Sequence, residues 1–200
     1  MKAKLRRKAI VDQASPFSLP ADIAIKALRE HRFPVLADRM KFVLEIAAMN
    51  ISLKYGGPFG AAVFEIDTGR LISIGINLVI WSNSSIAHAE IVAINNAEQA
   101  VGFNYIQSLS SKIKYELVTS SEPCIMCYGA IHWSNIQRIV CGSRSEDVRE
   151  IGFDEGEKNP RWIAELYRRG VQVVQDVCRP SAIKVLQLYK EQDGMLYNPQ

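Results

Sequence analysis

The sequence lacks the apolar run that a secretory signal or a membrane span needs. Its basic start (Lys2, Lys4, Arg6, Arg7, Lys8) gives way at once to Ala9-Ile10-Val11-Asp12-Gln13, which reads as a soluble, cytoplasmic chain with no membrane partner. Cysteine is also scarce. There are four, two as Cys124-x-x-Cys127 and two isolated at Cys141 and Cys178, too few and too scattered for a secreted disulfide framework. The close pair points instead to metal binding or redox work. A basic excess is missing as well: of 24 Lys and Arg, five fall in residues 1–8, leaving 19 against 21 acids over residues 9–200. A face for tracking phosphates would show in that balance, so nucleic acid is not the expected partner. No internal repeat or low-complexity segment is visible. At 48% hydrophobic and 22% charged, 200 residues suit one compact domain.

Residues 1–34 carry Pro16, Pro20 and Pro34 with little sustained periodicity and read as an N-terminal extension to a domain over 35–200. From 35 to 55, Leu36, Met40, Val43, Leu44, Ala47 and Ile51 recur at helical spacing, and Gly56-Gly57-Pro58 ends the run. Two β-branched-rich runs at 60–66 and 71–80, joined by Asp67-Thr68-Gly69-Arg70, predict a hairpin. A helix follows from near 87, with Ile91, Ile94, Ala97 and Val101 on one face. Beyond it the pattern alternates: strand 115–120, helix 124–133, strand 136–141, helix 160–169, strand 171–175, helix 181–192. Such alternation predicts a layered α/β domain with a mixed sheet, antiparallel at the hairpin and parallel where helices intervene.

The chemistry concentrates in His88-Ala89-Glu90 and Pro123-Cys124-Ile125-Met126-Cys127, an H-x-E…P-C-x-x-C pattern shared by zinc nucleobase deaminases. Two thiolates and one imidazole make three zinc ligands, and a catalytic zinc keeps its fourth position open where a structural site fills it with protein. Cys124 and Cys127 are three apart at the start of a predicted helix, whose N-terminus favours thiolates. His88 and Glu90 are two apart, so on a regular helix they diverge; His88 therefore belongs to the lead-in or first turn, leaving Glu90 free for proton transfer. Taken singly, these residues mean less. A lone Cys-x-x-Cys reads as a thiol redox pair, His88 as a satisfied polar side chain and Glu90 as a solvated helix charge. His31 and His132 have no such context, and Cys141 and Cys178 read as small hydrophobes packed near strands.

The sequence resembles the bacterial guanine deaminases of the cytidine-deaminase superfamily, a group separate from the barrel-fold metal hydrolases. Its shared segments are Gly57-Pro58-Phe59-Gly60-Ala61-Ala62, Asn77, Ala87-His88-Ala89-Glu90, Ser121 through Ala130, and Ile151-Gly152-Phe153-Asp154-Glu155-Gly156. The resemblance covers about residues 35–198 and leaves the extension without a counterpart. It implies a cytidine-deaminase-like three-layer α/β fold with a mixed five-stranded sheet flanked by helices. It implies one Zn2+ per chain on His88, Cys124 and Cys127, with Glu90 as the proton carrier. Asn77 and Phe59 would hold a small-molecule purine, and an acid from Asp154 or Glu155 would read its edge, with Glu155 favoured for reach and counted beside Glu90 as catalytic. Tyr197, within Leu196-Tyr197-Asn198, would close the site, and the enzyme would be a homodimer. Taken without the family, Asn77 is a strand-end polar residue, Phe59 a core aromatic, and Asp154 and Glu155 solvated loop acids. Rival readings are a tRNA adenosine deaminase, a deaminase of cytosine, nucleosides or aminotriazines, and a non-catalytic zinc-stabilised binding module.

Overall fold

The computed structural model describes residues 15–24, 32–102 and 113–198; the basic cluster at 2–8 and His31 lie outside them. Its elements are α1 (Leu36–Ser52), β1 (Gly60–Glu65), β2 (Leu71–Ile76), α2 (Val79–Ser82), α3 (Ala89–Val101) and β3 (Tyr115–Ser121). They continue with α4 (Ile125–Ser134), β4 (Arg138–Ser143), α5 (Ser145–Glu150), α6 (Trp162–Arg168), β5 (Gln172–Val174) and α7 (Arg179–Glu191). The strands form one sheet in the order β2-β1-β3-β4-β5. β1 is antiparallel to β2 and to β3, while β3, β4 and β5 run parallel.

Three layers follow from how the strands alternate. Ala62, Phe64, Val118 and Val140 face a core built with α1, whereas Ala61, Val63, Leu117, Ile139 and Cys141 face a second core with α3, α4 and α6. Central strands covered on both faces need apolar residues at every position, which is why these runs read as continuous rather than alternating. Ile23 is fully buried in the first core, with Phe17 and Leu19 packed against it, and Phe33 donates its backbone N–H to Gly69 O at 2.8 Å. Glu116, buried in β3, is held between the guanidinium groups of Arg39 and Arg138.

Two short elements escaped the periodicity. The run predicted as strand over 71–80 ends at Ile76, and 79–82 form one helical turn; α5 was not foreseen at all. Neither is long enough to show a 3.6-residue period. The helix that matters most for the site, α3, lies close on β2. A Cβ at Gly75 would run into the carbonyl of Ala89 and the amide of Ala93, so only glycine there lets the α3 backbone settle onto the strand.

Candidate active site

His88 is the N-cap of α3, with extended backbone (φ −71°, ψ 154°), and its carbonyl accepts the Val92 N–H at 3.0 Å. Cys124 stands in the same relation to α4, also as an extended N-cap, with Cys127 on the first turn. Two helix N-termini thus meet over the sheet. His88 Nδ1 lies 3.5 Å from Cys124 Sγ and 3.6 Å from Cys127 Sγ. In a tetrahedral zinc centre with ordinary bond lengths, nitrogen and sulfur sit about 3.6 Å apart. The three side chains therefore fit zinc as they stand. Among the described residues, this is the group of His, Cys, Asp and Glu side chains close enough to share a metal ion. A hydrogen bond from Cys127, assisted by His88, pulls the Cys124 thiol down to about 4, the direction that favours a metal-binding thiolate. Burial pushes Cys127 the other way.

Beside this group is a cavity of about 460 Å³, within the range of small-molecule sites. Phe59, Asn77, His88, Glu90, Cys124, Asp154, Glu155 and Tyr197 all line it, so every site residue read from the sequence reaches this cavity or, for Cys127, its metal-ligand corner. Their roles within it differ. Glu90, in the first turn of α3, is buried; its carboxylate accepts from Thr119 Oγ1 at 3.3 Å and from Cys127 Sγ at 3.4 Å. Burial, with the Cys124 charge, raises its carboxyl above the ordinary range. Glu155 is only 6% exposed, and burial pushes its carboxyl up to about 8, against the pull of Lys158 and Arg149. Asp154 is exposed, and its Oδ1 is occupied by the Gly156 N–H at 2.8 Å.

Asn77 and Tyr197 complete the polar lining. Asn77 Oδ1 accepts from the backbone N–H groups of Gly57 (3.2 Å) and Val79 (3.3 Å), which fixes the amide. Its Nδ2 is buried without a partner, as is the Tyr197 hydroxyl. A buried donor left unpaired is costly, so two such groups in one cavity mark places where a ligand would bond. Phe59 and Tyr197 each set a ring edge-on to Phe153 at 5.1 Å between centroids. Tyr197 is held there because Asn198 donates to Gly152 O at 2.8 Å and accepts the Asp154 N–H at 2.9 Å. His132 stacks edge-on with Trp133, Cys141 is buried in β4 and Cys178 contacts Ala37 O, all away from the metal group. Glu122, Ser145 and Lys158 went unnoticed in the sequence as parts of this site. They join Glu155 across turns and irregular segments, which carry no periodic signal.

A three-layer domain carrying a two-cysteine, one-histidine group and a buried glutamate defines a zinc-dependent deaminase. Residues 37–143 match the cytidine and deoxycytidylate deaminase zinc-binding region, and the chain belongs to that family. Among solved structures, it is similar to a guanine deaminase from Nitrosomonas europaea, at 39% identity and TM-score 0.84 over 90% of this chain and 98% of that one. A structure in complex with 2,6-diaminopurine is similar at 41% identity and TM-score 0.83, covering 90% and 95%. The guanine deaminase of Bacillus subtilis (strain 168) is 36% identical over 116 residues, 58% of this chain and 69% of its own length. tRNA-specific adenosine deaminases match at 35–36% identity, so identity alone does not separate the substrates.

Proposed function

We propose that the protein is a zinc-dependent hydrolytic deaminase of guanine, converting guanine and water to xanthine and ammonia. The observation that carries this reading is a buried carboxylate, Glu155, in the same cavity as Glu90 and the unpartnered Asn77 amide. Guanine presents N1–H and the reacting 2-amino group side by side, both donors, and a carboxylate accepts them through charge-assisted bonds. Adenine and cytosine place an acceptor nitrogen beside the amine and meet that carboxylate unfavourably. Among the described residues, the cavity lining contains no Lys or Arg, which suits a free base better than a phosphorylated nucleotide.

His88, Cys124 and Cys127 would hold one Zn2+ per chain, which when bound supplies a nucleophile at neutral pH by acidifying water. Glu90 takes the proton released, passes one to the ring nitrogen beside the reacting carbon, and helps the amine depart as ammonia. Asn77 Nδ2 donates to an acceptor on the purine while Phe59 packs against its face. Glu155 accepts from the guanine edge in its ionised form. Asp154 serves the loop, capping the turn that aims Glu155. Tyr197 closes the cavity. A cytoplasmic setting keeps the two ligand cysteines reduced; among the described residues, no helix is long and apolar enough to cross a membrane. We further propose a homodimer, supported by Ile125 and Trp133, which are 48% and 78% exposed on α4.

The deciding experiment measures ammonia release by the zinc-loaded protein from guanine, adenine, cytosine, their nucleosides, ammeline and a tRNA anticodon stem. Guanine should be turned over with the highest kcat/KM. A preference for cytosine, adenine or the RNA would overturn the assignment.

A further inference from the structure

Beside Glu155, and joined to it through Ser145, lies a set of polar groups to which the proposed reaction assigns no step. Lys158 Nζ donates to Pro123 O at 2.6 Å and to Ser145 Oγ at 3.2 Å, and lies 4.3 Å from the centroid of the Trp162 ring. Ser145 Oγ in turn lies 3.1 Å from Glu122 Oε2 and 3.5 Å from Glu155 Oε2. Neither Lys158 nor Ser145 lines the cavity, so neither touches a substrate there.

Hydrogen counting decides what this arrangement does. An ammonium has donors only, and a serine hydroxyl has one proton. With Lys158 donating to its oxygen, Ser145 must send its single proton to a carboxylate. Two carboxylates compete for it, Glu122 Oε2 at 3.1 Å and Glu155 Oε2 at 3.5 Å, but Glu122 has two other donors, Gln175 Nε2 to Oε1 at 2.5 Å and the Ser145 N–H to Oε2 at 3.1 Å. Among the described residues, Ser145 is the only hydrogen-bonding partner of the Glu155 carboxylate. The cation also stands near a site rich in acids, with Glu90, Glu122 and Glu155 all buried. An unpaired buried carboxylate would turn toward water or take up a proton, losing the acceptor that guanine needs.

We propose that Lys158, acting through the Ser145 hydroxyl, is a positioning residue that holds the Glu155 carboxylate toward the purine edge. This rests on Glu155 meeting guanine as argued above. The pull of Lys158 against the raised pKa of Glu155 agrees with it.

The test is a double-mutant cycle on kcat/KM for guanine, with zinc content and Tm measured for every variant. Lys158→Met keeps the stem against Trp162 and removes the charge; it should lower kcat/KM at least about tenfold, the scale of a hydrogen bond to a charged group. In a Glu155→Gln background the same substitution should cost less than about twofold, because its target has gone. If Glu155→Gln turnover falls below detection, Glu155→Asp provides the background. If Lys158→Met loses zinc or fails to fold, Ser145→Ala replaces it in the cycle. Equal losses in both backgrounds, or an unchanged kcat/KM in the single variants, would overturn the inference. Wild type releasing no ammonia from guanine would instead overturn the substrate reading, a result visible before any variant is compared.

Discussion

Glu90 and Glu155 enter one cavity from different parts of the chain, and substitutions should separate their tasks. Glu90 touches Cys127 Sγ but is not needed as a ligand, since the three-ligand group closes without it. Glu90→Gln should therefore retain zinc and fold while losing at least about 100-fold in turnover, the lower end for a positioned acid or base. Near-normal rates in the zinc-loaded variant would assign the proton transfer elsewhere. Glu155→Gln should also keep zinc, and should cost about 1.5–3 kcal/mol in guanine transition-state binding, the scale of a hydrogen bond to a charged group. Comparing kcat/KM for guanine before and after substitution measures it. Cys124→Ala or Cys127→Ala should behave differently, losing zinc and activity together in metal analysis, because two remaining ligands fall short of the three that hold a catalytic zinc.

At the scale of elements, the loop bearing Glu155 depends on how α5 is anchored. Asp147 of α5 accepts from the Arg144 N–H at 2.8 Å and from Arg179 of α7 at two points, Nε at 2.9 Å and a terminal nitrogen at 2.8 Å. The Arg179 hydrogen bonds hold the Asp147 carboxyl below its ordinary range. A carboxyl depressed in the fold stabilises it above the unfolded pKa of about 4, and that contribution is lost as pH falls through the folded value. Asp147→Asn should lower Tm by about 2–8 °C at pH 7, corresponding to roughly 1–2 kcal/mol. The gap from wild type should close as pH is taken below about 4 in thermal melts; a constant gap would deny the ion pair its role. Elements of this size also mark where sequence reading stopped. α1, α3 and the central strands announce themselves because each buries an apolar stripe or a continuous apolar run. α2 and α5 span four and six residues, too few for a period, and Asn77 was placed inside a strand that ends before it. The metal ligands were legible because their spacing is set by one helix turn and one cap. The Glu155 carboxylate is met by Ser145, ten residues upstream across an irregular loop, and a pairing outside any regular element leaves no periodic trace.

For the molecule as a whole, the last described segment completes a site whose metal group is built without it. His88, Cys124 and Cys127 belong to α3 and α4, and Asn198 and Tyr197 touch neither helix through hydrogen bonds. Instead the Tyr189 hydroxyl donates to Met195 O at 2.7 Å, turning the chain back after α7, and Asn198 clasps the backbone on either side of Phe153. Tyr197 is thereby set against Phe153 with its hydroxyl buried in the cavity. Gly57 makes the room, since a Cβ there would strike that hydroxyl. Removing residues 194–200 should then open the cavity to water and unpin the Glu155 loop while the metal ligands stay in place. We expect guanine kcat/KM to fall at least about tenfold, given the loss of an enclosed, desolvated site. Zinc content should remain near one per chain. The proposed dimer rests on α4 rather than on this tail, so sedimentation of the truncated protein should still give twice the chain mass. Full activity after truncation would deny the segment its closing role, and loss of zinc in step with activity would show that the tail supports the metal group itself.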